Sequence, residues 1–523
     1  MRWPIRWSVL LALCVTAPGS LLFAQNETPA KDGAKSASRA ATEEEVQQLR
    51  QEVADLKAMI QRLTQTSAPA GQGDAHLITA SFPLPASVDD ADSLAPEPTP
   101  EPYLLESQKK ESTAPVTAGW NGEHFYIKSA DGQFQIQPYG YVQTDYRTYV
   151  GDGSPANSFT LRRGRFGFQG NYGDHYQFGI LIDAAATSGA TIRDVYMNVN
   201  VNKAFQFQAG QFKEPFAQEL VAGVTNIDFM DRGLQSLLYP SAASAFRSPG
   251  VTIHGDLKGG EIQYWGGAFN GKGFSLNNLT SVPEAVGRLR FYPWRNKPDS
   301  RLRGFAFGGS IAYSFSRGLS NEQTPPMNIP DGAYGWFPQF PVNGNVWRYE
   351  AEFTYLRGPL GIRDEYVIAS WNRTGVGTEQ LGGLGFSNLP NIRFQAWNSA
   401  ITYLLTGESR PENGTPRVKH PVFGPKTEAS GGDHGWGAWE LGFRYSGIQG
   451  NEPGVFFDNT QTPQQVPTFN QHTDQFTFGI NWYLNYWVRF QSNFDVDRLK
   501  QPSTIGAVPQ KYVVFEERLQ FRF

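Results

Sequence analysis

Apolar and polar residues alternate in short runs from Trp120 to Phe523. At the C-terminal end, Val513, Phe515, Leu519, Phe521 and Phe523 share one face of an extended chain. Val514, Glu516, Arg518, Gln520 and Arg522 share the other. Successive side chains of a strand point to opposite faces, so this segment is apolar on one side and polar on the other. In water such an edge invites aggregation. In a transmembrane barrel its apolar face meets lipid and its polar face meets water. The same reading holds for Trp439, Leu441, Phe443 and Tyr445 against Glu440, Gly442, Arg444 and Ser446. It holds for Trp347, Tyr349, Ala351, Phe353 and Tyr355 against Arg348, Glu350, Glu352 and Thr354, and for Val488, Phe490, Ser492 and Phe494 against Arg489, Gln491, Asn493 and Asp495. Leu289 and Phe291 alternate with Arg288, Arg290 and Tyr292. Turn residues such as Asp131-Gly132, Asp152-Gly153, Lys272-Gly273 and Asp331-Gly332 punctuate the runs. Roughly 400 residues, at about 10 per strand, predict an all-β transmembrane antiparallel barrel of about 16 strands. A barrel that wide leaves an aqueous channel.

Upstream the period changes. Val46, Leu49, Val53, Leu56, Ile60 and Leu63 follow alternating spacings of three and four, a heptad seam that predicts a coiled-coil helix over 43–64. Thr42 stands as its N-cap, with Glu45 three residues on. A single amphipathic helix lying on the barrel is the other reading of this segment. Residues 65–117 hold eight prolines among Ala, Ser and acidic residues and predict a semi-extended linker. Residues 25–42, rich in Ala, Lys, Ser and Thr, predict disorder. Residues 1–24 read as a secretory signal: Arg2 and Arg6, then the apolar stretch Val9 to Ala17, then Leu22-Phe23-Ala24 before Gln25. The barrel is expected over 118–523.

Composition narrows the function. Aromatic residues make up 14% and charged residues 18%, with 55 glycines and a mean hydropathy of −0.43. After the N-terminus there is no apolar run of the roughly 18 residues that a spanning helix needs. The net charge of −4 becomes −6 once Arg2 and Arg6 are removed, which gives no reason to expect nucleic acid. The one cysteine, Cys14, lies in the signal segment, so the mature chain carries neither disulfide nor thiol chemistry. The seven histidines show no metal-binding spacing, and no metal or cofactor is expected. His175 and His254 lack the Ser or Asp context of a hydrolytic triad, so no enzyme activity is expected.

Six segments then carry a resemblance. Leu161-Arg162-Arg163-Gly164-Arg165-Phe166-Gly167-Phe168, Arg193-Asp194-Val195-Tyr196, and Gly210-Gln211-Phe212-Lys213-Glu214-Pro215-Phe216 with Ile227-Asp228-Phe229-Met230-Asp231-Arg232 come first in order. Thr406-Gly407-Glu408-Ser409-Arg410, Gly437-Ala438-Trp439-Glu440-Leu441 with Arg444-Tyr445-Ser446, and Gly479-Ile480-Asn481-Trp482-Tyr483-Leu484-Asn485 follow. Together they resemble the phosphate-selective porin O and P family. The resemblance implies a 16-stranded barrel in the outer membrane of a Gram-negative-type bacterium, in contact with its lipid. It also implies a homotrimer, an inward-folding loop that narrows the pore, and passage of small anions, phosphate or polyphosphate first. Arginine ladders and lysine clusters guide the anion in such proteins. N-terminal coiled coils also occur among them, which would let residues 43–64 reach peptidoglycan or the cell wall.

Alternation aims Arg147, Arg163, Arg165, Arg288, Arg290, Arg348, Arg444, Arg489, Arg518 and Arg522 at the lumen, together with Asp145, Asp194, Glu350, Glu352, Glu440, Asp495 and Glu516. Rings of Arg or Lys select anions. The anion-binding candidates are Arg162, Arg163, Arg165, Arg288, Arg290, Arg348, Arg444, Lys213 and Arg232. The first three form a cluster with no acid beside them in sequence. Strict alternation puts Arg162 on the lipid side, so it needs a rim position or a register break at Gly164. The constriction loop is expected over Glu214 to Pro249, pinned to the wall by Leu234, Leu237 and Leu238. It carries no lysine after Lys213, which argues against tight phosphate binding. Other readings are a porin for sugars or other neutral solutes, guided by Tyr139, Tyr141 and Tyr292, and a structural barrel linked to the cell wall.

Overall fold

Sixteen antiparallel strands close on themselves. The structure is a computed structural model that describes residues 116–523, apart from 122–123, 152–153, 186–188, 243–244, 272, 274–277, 279, 318–326, 338–341, 375–387, 389–390, 423–434, 458–462 and 501–510. The signal segment, the helix expected over 43–64 and the linker lie outside the described residues.

A short hairpin, β1 (Thr117–Trp120) and β2 (Phe125–Lys128), leads into the wall. The barrel strands begin with β3 (Phe134–Val150), β4 (Ser158–Tyr172), β5 (Tyr176–Asp183), β6 (Thr191–Asn202) and β7 (Phe205–Lys213). A one-turn helix α1 (Gln218–Val221) and a 3-10 turn (Leu234–Leu238) lie in the next connection. There follow β8 (Arg247–Leu257), β9 (Ile262–Phe269), β10 (Glu284–Phe291) and β11 (Phe305–Arg317). A small hairpin, β12 (Met327–Asn328) and β13 (Gly335–Phe337), interrupts the wall. The barrel ends with β14 (Asn343–Arg357), β15 (Leu360–Trp371), β16 (Ile392–Leu404), β17 (Ala438–Phe457), β18 (Pro463–Tyr483), β19 (Val488–Lys500) and β20 (Lys511–Arg522).

Closure is made by β20 on β3, in register from Val513 across Val150 to Arg522 across Tyr141. Beyond it the backbones of Gly140 and Phe523 exchange hydrogen bonds of 3.1 and 3.0 Å. The alternation expected of β20 holds: Leu519 is 54% exposed on the outer face while Arg518 is fully buried inside. Most connections at the end that bears Phe134 and Phe523 are short, such as 173–175, 203–204 and 358–359, whereas most at the other end are longer, such as 214–246, 318–342 and 372–391. Outer-membrane barrels place short turns in the periplasm and long loops outside, which orients the molecule.

Register shifts interrupt the ladders of β3–β4, β5–β6, β6–β7 and β17–β18, and two of them re-aim arginines. On β4, Arg163 lies across Gln143 but Leu161 lies across Thr144, so Arg162 is an extra residue with no partner across the ladder. A bulge re-aims side chains. Here it keeps Phe159 and Leu161 on the outer face, 78% and 54% exposed, while Arg162 reaches inward to a carboxylate. The register break falls at Arg162 itself rather than at Gly164. Arg193 is the extra residue of a matching bulge on β6.

The lumen is partly filled. The connection 214–246 folds in from the outer end, shorter than expected because Arg247 and Pro249 already belong to β8. Leu234 and Leu238 are fully buried against the wall and Leu237 packs beside them, as their apolar character suggested. Phe229 enters a notch left by Gly442 and Gly479, which face each other across β17 and β18. A Cβ on either glycine would stand 3.0 Å from the ring. The β12–β13 hairpin adds Ile329, Ala333 and Trp336 to the buried interior, with Trp336 edge-on to Phe394 at 5.3 Å.

Candidate functional site

The inward loop is held by carboxylates and carbonyls that meet arginines of the wall. Asp231 binds Arg147 and lies 3.5 Å from Arg162. Its backbone carbonyl accepts from Arg444 at 2.8 Å, and the Met230 carbonyl accepts from Arg518. Asp228 binds Arg363 at 2.5 Å and also Arg410, which arrives from the periplasmic connection after β16. Ile227 accepts from Arg489 at 3.2 Å. Burial pushes the Asp231 carboxyl up, but Arg147, Arg162, Arg518 and Arg163 outweigh it and hold it well below the usual carboxylate range. Asp228 is lowered in the same way, burial being overcome by Arg363 and Arg410. In the β12–β13 hairpin, burial and the Asp495 charge push Asp331 up to about 7, against the Ala333 N–H and Arg147.

The three-arginine cluster on β4 does have acids near it. Arg165 donates to Asp183 at 2.7 Å and to the Tyr141 hydroxyl at 2.7 Å. Arg193 shares Asp183 at 3.2 Å. Arg162 faces Asp231, while Arg163 donates to the neutral Gln143 at 2.8 Å. The tight turn after β4 could have found Asp183 from sequence. Tyr172 pairs with Tyr176, so seven residues back from one and seven on from the other places Arg165 across Asp183.

The remaining candidates are occupied by structure. Lys213 donates to the carbonyls of Leu220 and Ala222 at 2.9 and 2.5 Å. Arg232 donates to those of Glu219 and Ala222 at 3.0 and 3.1 Å, so both cations cap the end of α1. Arg288 and Arg290 form one group with Glu352 and Glu412: Arg288 meets Glu352 at 2.7 Å, and Arg290 meets Glu412 at 2.6 Å. Arg348 lies 3.5 Å from Glu284. Arg444 is turned to the loop and to Thr477. Arg363, Arg410 and the bidentate pair of Arg247 with Asp194, at 2.8 and 3.0 Å, were not singled out from sequence. Their partners lie on distant segments.

Between loop and wall, on the β3–β9 side, a cavity of about 470 Å³ stays open. Its charged lining is Arg165, Lys213, Arg247 and Arg522 against Asp194, and Tyr139, Tyr141, Tyr196 and Trp265 line it too.

A closed barrel of sixteen strands, apolar outside and charged inside, with a loop folded into its lumen, is a porin of the outer membrane. The chain belongs to the phosphate-selective porin O and P family, whose model matches residues 136–523. Comparison with curated proteins found no match. Among solved structures the chain is similar to a loop L8 deletion mutant of OmpT, an outer membrane protein of Vibrio cholerae (13% identity, 75% of this chain and 100% of that one, TM-score 0.47). It is similar to the outer membrane channel DcaP of Acinetobacter baumannii (12%, 76% and 99%, TM-score 0.47). It is also similar to Salmonella typhi OmpF in complex with daunomycin (10%, 78% and 100%, TM-score 0.45).

Proposed function

We propose that the channel passes small anions, phosphate among them, by passive diffusion with a modest preference over cations. The observation that carries this is the cavity between loop and wall, lined by four basic side chains and one acidic one, with Arg165 and Arg247 partly offset by Asp183 and Asp194. Guanidinium stays charged at any working pH, and low-dielectric walls focus its field. Lys213 is already engaged by three carbonyls, and the loop has no other lysine, so phosphate binds loosely and blocks chloride current only weakly. The test is the reversal potential of the purified protein in a planar bilayer under a KCl gradient, then chloride current with added phosphate. Cation selectivity sinks the reading; strong block at micromolar phosphate sinks the loose-binding part. Tyr139, Tyr141, Tyr196 and Trp265 favour a second reading, neutral solutes such as sugars, which liposome swelling compares directly.

We also propose that the protein is a homotrimer joined through the outer face of β5–β10. Near the extracellular end, the outer face elsewhere carries aromatic residues: Tyr313, Trp347, Tyr349, Tyr366, Trp397 and Tyr445. On β5–β10 the same level carries Ile182, Ile192, Val251, Ala268 and Ala285. Aromatic girdles sit where a barrel meets the membrane interface, so their interruption fits a face covered by protein. Val251→Arg with Ala285→Arg is expected to turn the trimer into monomers on native gels, with Tyr349→Ala harmless. A trimer that survives the arginines places the contact elsewhere.

A further inference from the structure

The outer face of β19 and β20 differs from the rest of the wall at its extracellular end. Where the outer face of β14–β17 shows mainly neutral rings, with Arg393 on β16, these two strands gather Arg498, Lys500 and Lys511, all exposed, beside Asp474 and His472 of β18. Alternation with Phe494, Val496, Val513 and Phe515 places all three on the lipid side. Register sets Arg498 across Lys511 on one side and Asp474 on the other, and Lys500 across His472. Arg498 also lies over the Phe476 ring at 5.7 Å.

Their depth is informative. Phe490 and Phe521 are outward rings near the periplasmic ends of β19 and β20, and eight residues separate Phe490 from Arg498 while ten separate Phe521 from Lys511. A spanning strand is about 9–11 residues long. The three cations therefore stand where hydrocarbon gives way to headgroups. Like charges directly opposite in a sheet destabilise it, and Arg498 faces Lys511. Among the described residues, no side chain of the three forms a hydrogen bond or ion pair, though the Lys500 charge acts on Asp474. Asp474, the acid on this face at that depth, is taken by His472 at 2.9 Å and the Tyr445 hydroxyl at 2.7 Å.

We propose that this rim binds the phosphate groups of the outer-leaflet glycolipid. A guanidinium grips phosphate oxygens in bidentate fashion and two ammonium groups add point charge. The bound phosphates relieve the repulsion between Arg498 and Lys511. The lipid's acyl chains lie down the apolar face directly below, along Val496, Phe494, Val513 and Phe515, a contact that free phosphate lacks. This binding faces the bilayer and is independent of what the lumen conducts.

The experiment is native mass spectrometry of the whole detergent-solubilised protein. The probes are phosphorylated lipid A, the same lipid with its phosphates removed, and inorganic phosphate as competitor. The wild type is expected to retain the phosphorylated lipid about tenfold better than the dephosphorylated one. Arg498→Gln, Lys500→Gln and Lys511→Gln together are expected to erase that difference while heat-modifiable migration is kept. Equal retention of the two lipids by the wild type overturns the proposal even if the triple variant fails to fold, and so does a folded variant that binds like the wild type. Displacement of the lipid by millimolar inorganic phosphate overturns it too, because the rim is then a free-phosphate site.

Discussion

Asp231→Asn is expected to raise single-channel conductance, sharpen anion preference and lower the thermal unfolding midpoint. The carboxylate meets Arg147 and Arg162 directly, and Arg163 and Arg518 lie close enough to act on its charge. Removing it leaves Arg147 to Asp145 and Glu516 and deprives Arg162 of its acid, so the cost stays below the about 3–5 kcal/mol of a buried charge that loses its sole partner. The loop stays tethered at Asp228, so the barrel still forms, but the segment beside Arg147 loosens and the freed cations add to the positive field of the lumen. The carboxyl is held below its ordinary range, so its stabilisation is complete above the unfolded carboxylate pKa and is lost only as pH falls through the lower folded value. Mild acid therefore leaves the wild-type pin intact. Unchanged conductance together with an unchanged midpoint would show that the loop is held elsewhere.

The second large effect is expected from Arg163→Ala with Arg165→Ala, which should move the reversal potential toward cations. At an effective dielectric constant of about 20, a unit charge 4 Å away is worth ~4 kcal/mol. Asp183 already offsets Arg165, and Asp194 stands across the cavity, so most of that is cancelled. A residue of ~1 kcal/mol changes the permeability ratio ~5-fold. Arg165→Ala with Asp183→Ala removes a compensated pair and should leave selectivity near the wild type. If the two double variants behave alike, the arginines brace the wall and the field that selects ions lies with Arg247 and Arg522.

The wall was legible in the sequence because one rule, period two, governs most of each strand and lipid enforces it. Leu289 against Arg288, and Tyr349 against Glu350, fall on the faces that alternation assigns them. The bulges were not legible. An extra residue such as Arg162 obeys no period, and its place follows from keeping Phe159 and Leu161 in lipid while Arg162 reaches a loop 69 residues away. The interior was half legible. That the loop folds inward was implied by the family resemblance, and that leucines pin it follows from their apolar character. That Asp228 answers Arg363 and Arg410, and that Lys213 turns to backbone carbonyls, depends on segments brought together only by closure.

That closure has its own consequence. The seam between β20 and β3 is spanned inside by Arg518, which grips Asp145 with two bonds of 2.7 Å and the Met230 carbonyl of the infolded loop with a third. A slip of one residue at the seam turns Arg518 into the bilayer and strips both partners of their donor. The loop thus works as a gauge block. Only the observed alignment of the last strand lets Arg518 meet both the wall and the seated constriction.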